Sequence, residues 1–225
     1  MSVKSQRGAT LIEMMLACSL SIFLLTGLMQ IYLACKQNMD LQQSQANMQE
    51  SGHFAVVFLN QAIRMAGYAN CGGSTQPVNQ DLAIQGFSSA LPPYLQGKVV
   101  SDTDSIVIGL CQTENGKTQF VQKAFFISPT TRKNSVGQTI TALYEMPINS
   151  DKAELVPDVT HMQIQYGISA KSSITSIDRY VPAAQVGDWH QVRAVQISLL
   201  VQSEKPRLRL ASQHWFTYIA LRERP

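Results

Sequence analysis

Charge is scarce in this chain. Only 15% of its 225 residues are Asp, Glu, Lys or Arg, against 45% hydrophobic, a balance too apolar for disorder and too polar for a protein of many membrane spans. Proline is missing from the first 76 residues, the first being Pro77. The motifs of chemistry are missing too. Gly72-Gly73 lacks the lysine and the helix pattern of a phosphate-binding loop. His53, His161, His190 and His214 show no ligand spacing. Asp188-Trp189-His190 sets an acid beside a histidine, but neighbours on a strand face opposite ways and form no relay. Asp102-Thr103-Asp104 precedes a strand-like run and reads as a polar turn rather than a metal or calcium ligand pair. Neither catalysis nor a cofactor is expected.

What the chain does have is one long apolar run. Met14 to Cys35 holds 22 residues without a charge, interrupted only by Ser19, Ser21, Thr26, Gly27 and Gln30. As a helix it measures roughly 33 Å, enough to cross a bilayer. Lys4 and Arg7 precede it, so the short N-terminal side is expected in the cytoplasm and the rest of the chain outside it. A secretory signal peptide would show a shorter apolar stretch closed by a small-x-small site, and this run shows neither. Leu16-Ala17-Cys18 and Leu33-Ala34-Cys35 are poor lipoprotein boxes.

The helical pattern continues past the apolar run. From Lys36 to Ala66 there is no proline and one glycine, Gly52, and Ala55, Phe58, Leu59, Ala62, Ile63 and Ala66 recur at helical spacing. A single helix from about Thr10 to Ala66, roughly 85 Å long, is expected to stop at Gly67, its first half apolar all round and its second half amphipathic. Beyond it, short β-rich runs alternate with Gly, Pro, Asn and Asp: Ser105–Cys111, Phe120–Ser128, Thr139–Met146, Met162–Ser169, Val192–Gln202 and Trp215–Leu221. One helix followed by many strands argues an α+β fold with the helix laid on an antiparallel sheet.

Glu13 is the residue that needs explaining. A carboxylate at the lip of an apolar segment costs about 2.5–3.5 kcal/mol to insert, and an N-terminal acid favoured by the helix dipole explains it only in part. The block Arg7-Gly8-Ala9-Thr10-Leu11-Ile12-Glu13-Met14-Met15-Leu16-Ala17 resembles the class III signal of type IV pilins and type II secretion pseudopilins. That resemblance implies removal of residues 1–8 by a prepilin peptidase cutting after Gly8, and N-methylation of Ala9, where the family usually has phenylalanine or methionine. It also implies an assembly role for Glu13, paired with the terminal ammonium of a neighbouring subunit in lipid. The absent helix proline departs from many major pilins.

Later blocks are similar to the PilW minor pilins. They are Ile63–Tyr68 with Cys71, Ile84–Phe87 with Leu91-Pro92, Asp104–Ile108, Glu154–Val159 running into Ile164–Gly167, Trp189–Val201 and Ile219–Arg224. The resemblance implies a type IV pilin-like fold divided into a leader (1–8), a transmembrane and assembly half-helix (9–35), an amphipathic half-helix (36–66) and an exported β-rich domain (67–225). It implies a minor pilin of a priming or tip complex. Its partners would be other minor pilins, the major pilin, the prepilin peptidase, the inner-membrane assembly platform and, before assembly, membrane lipid. The rival readings are a type II secretion pseudopilin and a signal-anchored exported enzyme or adhesin.

Cysteines and basic residues complete the picture. Cys18 and Cys35 are about 25 Å apart on one helix and cannot bond to each other. Cys71 and Cys111 lie in the part expected outside the cytoplasm. A disulfide between them would close a loop of about 40 residues, worth about 4 kcal/mol on the loop-entropy argument, with zinc the weaker reading. Lys205, Arg207 and Arg209 form the basic cluster, read as protection of a strand edge before a DNA contact. Removing Lys4 and Arg7 with the leader leaves 16 basic residues against 15 acidic ones, so the formal +3 falls to +1 and gives nucleic acid little to bind.

Overall fold

The structure is a computed structural model that describes residues 10–66, 83–88, 90–114, 117–148, 150–169, 177–203 and 212–221. The expectations placed on Gly8, Ala9, Gly67, Cys71, Gly72-Gly73, Lys205, Arg207 and Arg209 lie outside the described residues. Helix α1 spans Leu11–Arg64. Thr10 starts it: the Glu13 amide donates to the Thr10 carbonyl at 3.0 Å and to its hydroxyl at 3.4 Å, which occupies one of the donors every helix start leaves open. At the other end Ala66 N–H turns back to the Ile63 carbonyl at 3.0 Å, a tightened last turn.

By compactness the chain forms two units, Met1–Gln43 and Ser44–Pro225. In the second, α1 buries Met48, Gly52, Ala55, Leu59 and Ile63, with Ala66 beyond its end. That stripe recurs every three or four residues, as the 3.6-residue turn requires. The sequence placed Phe58 on the buried face, but Phe58 is 41% exposed and Gly52 takes a place in the stripe instead. Period alone could not separate the two, because Phe58 lies one residue from the stripe's Leu59.

Among the described residues nine strands build two antiparallel sheets. The first has the order β1-β2-β3-β4-β5, from β1 (Ile84–Phe87), β2 (Ser105–Glu114), β3 (Lys117–Lys133), β4 (Thr139–Pro147) and β5 (Ala153–Pro157). The second has the order β7-β6-β8-β9, from β6 (Val159–Ile168), β7 (Arg179–Pro182), β8 (Val192–Gln202) and β9 (Ser212–Ala220). The α+β expectation therefore holds, with the sheet divided in two. Asp158, at φ +65°, makes the turn between β5 and β6 where the chain changes sheet. All six expected strands are present. The additional β1, β5 and β7 are only 4, 5 and 4 residues long, too short to show a period of two.

The main core lies among α1 and the inner faces of both sheets. Leu59 and Ile63 meet Ile106, Ile108, Phe125, Ile127 and Leu143 of one sheet and Met162, Ile164, Val195, Ile197 and Leu199 of the other. A second cluster covers the opposite face of the first sheet, where Leu95 and the half-buried Tyr94 sit over Val107, Phe126, Tyr144 and Met146. With both faces covered, Ser105–Leu110 is buried at every position.

Polar stitches join the sheets. Asp104 binds β6 twice: its amide donates to the Met162 carbonyl at 2.8 Å, and its carboxylate accepts from the Ile164 amide at 2.7 Å. The Thr141 hydroxyl donates to the Val159 carbonyl at 2.8 Å. Asp188-Trp189-His190, expected on a strand, instead opens a 3-10 turn over Trp189–Gln191, with the Asp188 carboxylate accepting from the His190 amide at 2.9 Å. The acid is used as a cap.

Candidate assembly site

The first unit carries the most unusual surface. Fifteen large apolar side chains between Leu11 and Leu33 are each at least 45% exposed, Phe23 reaching 81%. A patch of that kind marks a membrane or protein contact, and α1 is long and apolar enough to cross a membrane. Its three serine and threonine hydroxyls are closed off within the helix: those of Ser19, Ser21 and Thr26 donate to the carbonyls of Leu16, Ala17 and Ile22 at 2.9, 2.7 and 2.8 Å. In lipid, where no water can take those donors, this internal satisfaction is what a hydroxyl needs.

Glu13 is the sole ionisable carboxylate in this surface, and it is exposed in the first turn. Its amide is held by Thr10, which fixes the turn. Cys18 and Cys35 are free, exposed thiols on the same helix. Cys111 lies half-buried on β2, while its expected partner Cys71 lies outside the described residues.

Among the described residues the second unit offers a groove but no chemical constellation. A cavity of about 790 Å³ lies between α1 and strands β3 to β5, with Phe54, Phe58, Leu155 and Pro157 on its apolar side and Glu50 and Lys133 on its polar side. Arg132, at its rim, pairs with Glu154. Among the described residues no group of three His, Cys, Asp or Glu is placed to hold a metal ion.

The titratable groups with shifted equilibria serve packing. Burial pushes the Asp104 carboxyl up, opposed by the Ile164 amide that favours its anion. Burial, then the neighbouring Lys98, pushes the Lys152 amine down; that amine donates to the buried Ser128 hydroxyl at 2.6 Å and lies 4.4 Å from the centre of the Tyr144 ring. Tyr166 is fully enclosed, its hydroxyl without a hydrogen-bond partner among the described residues and its acidity suppressed by burial, then by Asp104. Its ring lies edge-on to Trp189.

Residues 125–220, which run from within β3 to the end of β9, match the family model of PilW, the Type IV Pilus-assembly protein W. Over these strands the chain is similar to PilW. No curated protein matches the chain. The PilW match and the apolar helix lie on different parts of the sequence and point the same way: the match supports a type IV pilus-related protein engaged with other pilus-assembly components, and the helix fits a membrane or envelope location.

Sequence reasoning missed the groove. Its signal was present in Phe54 and Phe58, four residues apart on one helix face with ring centres 6.4 Å apart.

Proposed function

We propose that the protein is a minor pilin that takes part in the initiation of type IV pili, joining other minor pilins in a priming or tip complex on which the major pilin then grows. The observation that carries this reading is the pairing of one carboxylate, Glu13, with a helix surface otherwise built for lipid. Alone in a bilayer that carboxylate is costly; set beside the terminal ammonium of a neighbour it is relieved, and the relief favours a defined stagger between subunits. The PilW match over residues 125–220 supports the pilus context.

In this reading a prepilin peptidase removes residues 1–8 after Gly8, Ala9 becomes the methylated terminus, and the unit Ser44–Pro225 stands on the periplasmic side until the inner-membrane platform extracts the helix from lipid. The β domain presents the surface that selects partners and performs no catalysis. A Cys71–Cys111 disulfide ties the start of the β domain to β2. Its support is that Cys111 is disulfide-bonded while Cys18 and Cys35 are free.

A deletion strain tests the proposal against type II secretion: the pilus reading requires loss of surface fibres with exoprotein export intact, and the reverse pattern sinks it. Reintroducing Glu13→Ala is expected to restore a stable, processed protein without restoring fibres. Full piliation by that variant would remove the role given to Glu13.

A further inference from the structure

The cavity between α1 and strands β3 to β5 has a shape and a charge pattern that define what fits it. Its helix wall runs along one face of α1 from Asn47 to Phe58, a length of about 16 Å. Spread over that length, about 790 Å³ leaves a section of about 50 Å². An extended chain with its side chains occupies about 4.8 by 10 Å, whereas a helix about 10–12 Å across fills about twice that section.

Spacing agrees with section. Glu50, Phe54 and Phe58 stand four residues apart, about 6 Å along the helix at each step. Side chains on one face of an extended chain recur every second residue, about 6.6 Å, so three of them in succession reach these three residues in turn. Phe54 and Phe58 are 48% and 41% exposed. Among the described residues no ion pair occupies Glu50 or, on the strand wall, Lys133. Of the other charged groups in the lining, Arg132 is held by Glu154 and Asp158 has a partner already.

We infer that this groove holds an extended segment of a different protein of the pilus-assembly machinery. That segment carries Lys or Arg at one end, large apolar side chains two and four places from it, and an Asp or Glu between. The basic side chain meets Glu50, and the apolar pair covers Phe54 and Phe58. Intervening side chains point the other way, toward the wall of Leu155, Pro157 and Lys133, where the acid belongs. A second copy of this chain has no such segment to give. Lys or Arg with large apolar residues two and four places away occurs twice in the sequence, at Lys123–Ile127 and Arg193–Ile197. Both lie inside strands, β3 and β8, that are paired on either side, and neither contains an acid. The groove is a property of the fold; only the origin of the donor rests on the pilus reading above.

The test places a photo-cross-linking benzoylphenylalanine at Phe58 of the full-length chain in its own cells, with the same residue at His53, exposed on a different flank of α1, as control. Peptide mapping is expected to find Phe58 joined to a segment of another protein with the stated pattern. Glu50→Lys and Lys133→Glu, both at exposed positions, are each expected to cut that product at least tenfold without changing thermal unfolding. Undiminished product in both variants would overturn the inference. Cross-linking to a second copy, to another part of the same chain, to lipid or to a segment without the pattern would do the same, as would a yield no higher than the His53 control in cells where the chain is found in fibres. A segment with the pattern from a protein outside the pilus machinery would keep the groove and overturn the pilus reading instead.

Discussion

Gly52 joins the helix to the second sheet, and its substitution tests that packing by sign. A Cβ at Gly52 would stand 2.1 Å from Trp215 Nε1, 2.2 Å from Cε2 and 2.6 Å from Cδ1. These are ring atoms of an indole whose nitrogen is buried without a hydrogen-bond partner among the described residues, so relief requires moving the whole ring. Two effects compete in Gly52→Ala. Alanine is favoured over glycine in a helix interior by about 1 kcal/mol, while forcing a methyl into a filled site costs about 1–3 kcal/mol. The second wins here, for a net loss of about 1 kcal/mol, or about 2–4 °C in a domain of this size. With Trp215→Ala as background the obstruction is gone, and the same substitution should stabilise by about 1 kcal/mol. The double-mutant cycle therefore gives about 2 kcal/mol of coupling. Thermal unfolding of the full chain in detergent, followed by near-ultraviolet circular dichroism of the β domain, measures it. If Gly52→Ala raises the melting temperature equally in both backgrounds, Trp215 does not pack on Gly52 and the helix is docked in another way.

Asp104 gives a second test, again through opposite signs. Its carboxyl is raised in the folded state, so the fold holds that proton more tightly than the unfolded chain does; stability from this group is greatest below the ordinary carboxyl range and falls as pH rises through the raised value. Asp104→Asn, which keeps an acceptor for the Ile164 amide without the charge, should flatten that dependence and match or exceed the parent at neutral pH. Asp104→Ala should lose about 1–3 kcal/mol by leaving the amide unpaired. Denaturant titrations at several pH values separate the three proteins. For the proposed disulfide, peptide mapping without reductant should recover Cys71 joined to Cys111, and Cys111→Ser should lower stability by about 2–5 kcal/mol; two free thiols in the protein from its own cells would refute the pairing.

How far the sequence could be read depended on the length of each signal. The strand Val192–Gln202 was legible to the residue, because Val195, Ile197, Leu199 and Val201 recur at every second position, with Gln196 and Ser198 between the first three, and all four are buried. The extent of α1 was legible from its unbroken freedom from proline. The division into two sheets was not, since it turns on Asp158 adopting a left-handed conformation and on Asp104 pairing with residues some sixty positions away. The uniform burial of Ser105–Leu110 was similarly hidden: it depends on Tyr94 and Leu95 closing the far face, a long-range contact that no local period reports. Of the assembly site, Glu13 and its apolar setting were readable from one charge in a long neutral run. The exposure of Phe216 and Tyr218 was not, because an aromatic on an alternating strand looks the same whether its face meets a core or solvent.

Intact-mass and N-terminal peptide analysis of the protein recovered from its own membranes tests the central claim most directly. The account predicts a chain that begins at a methylated Ala9 and keeps its apolar helix through Cys35, with Glu13 therefore its fifth residue. A chain that retains Met1 to Gly8, or one cut near Cys35 so that the helix is lost, would contradict it.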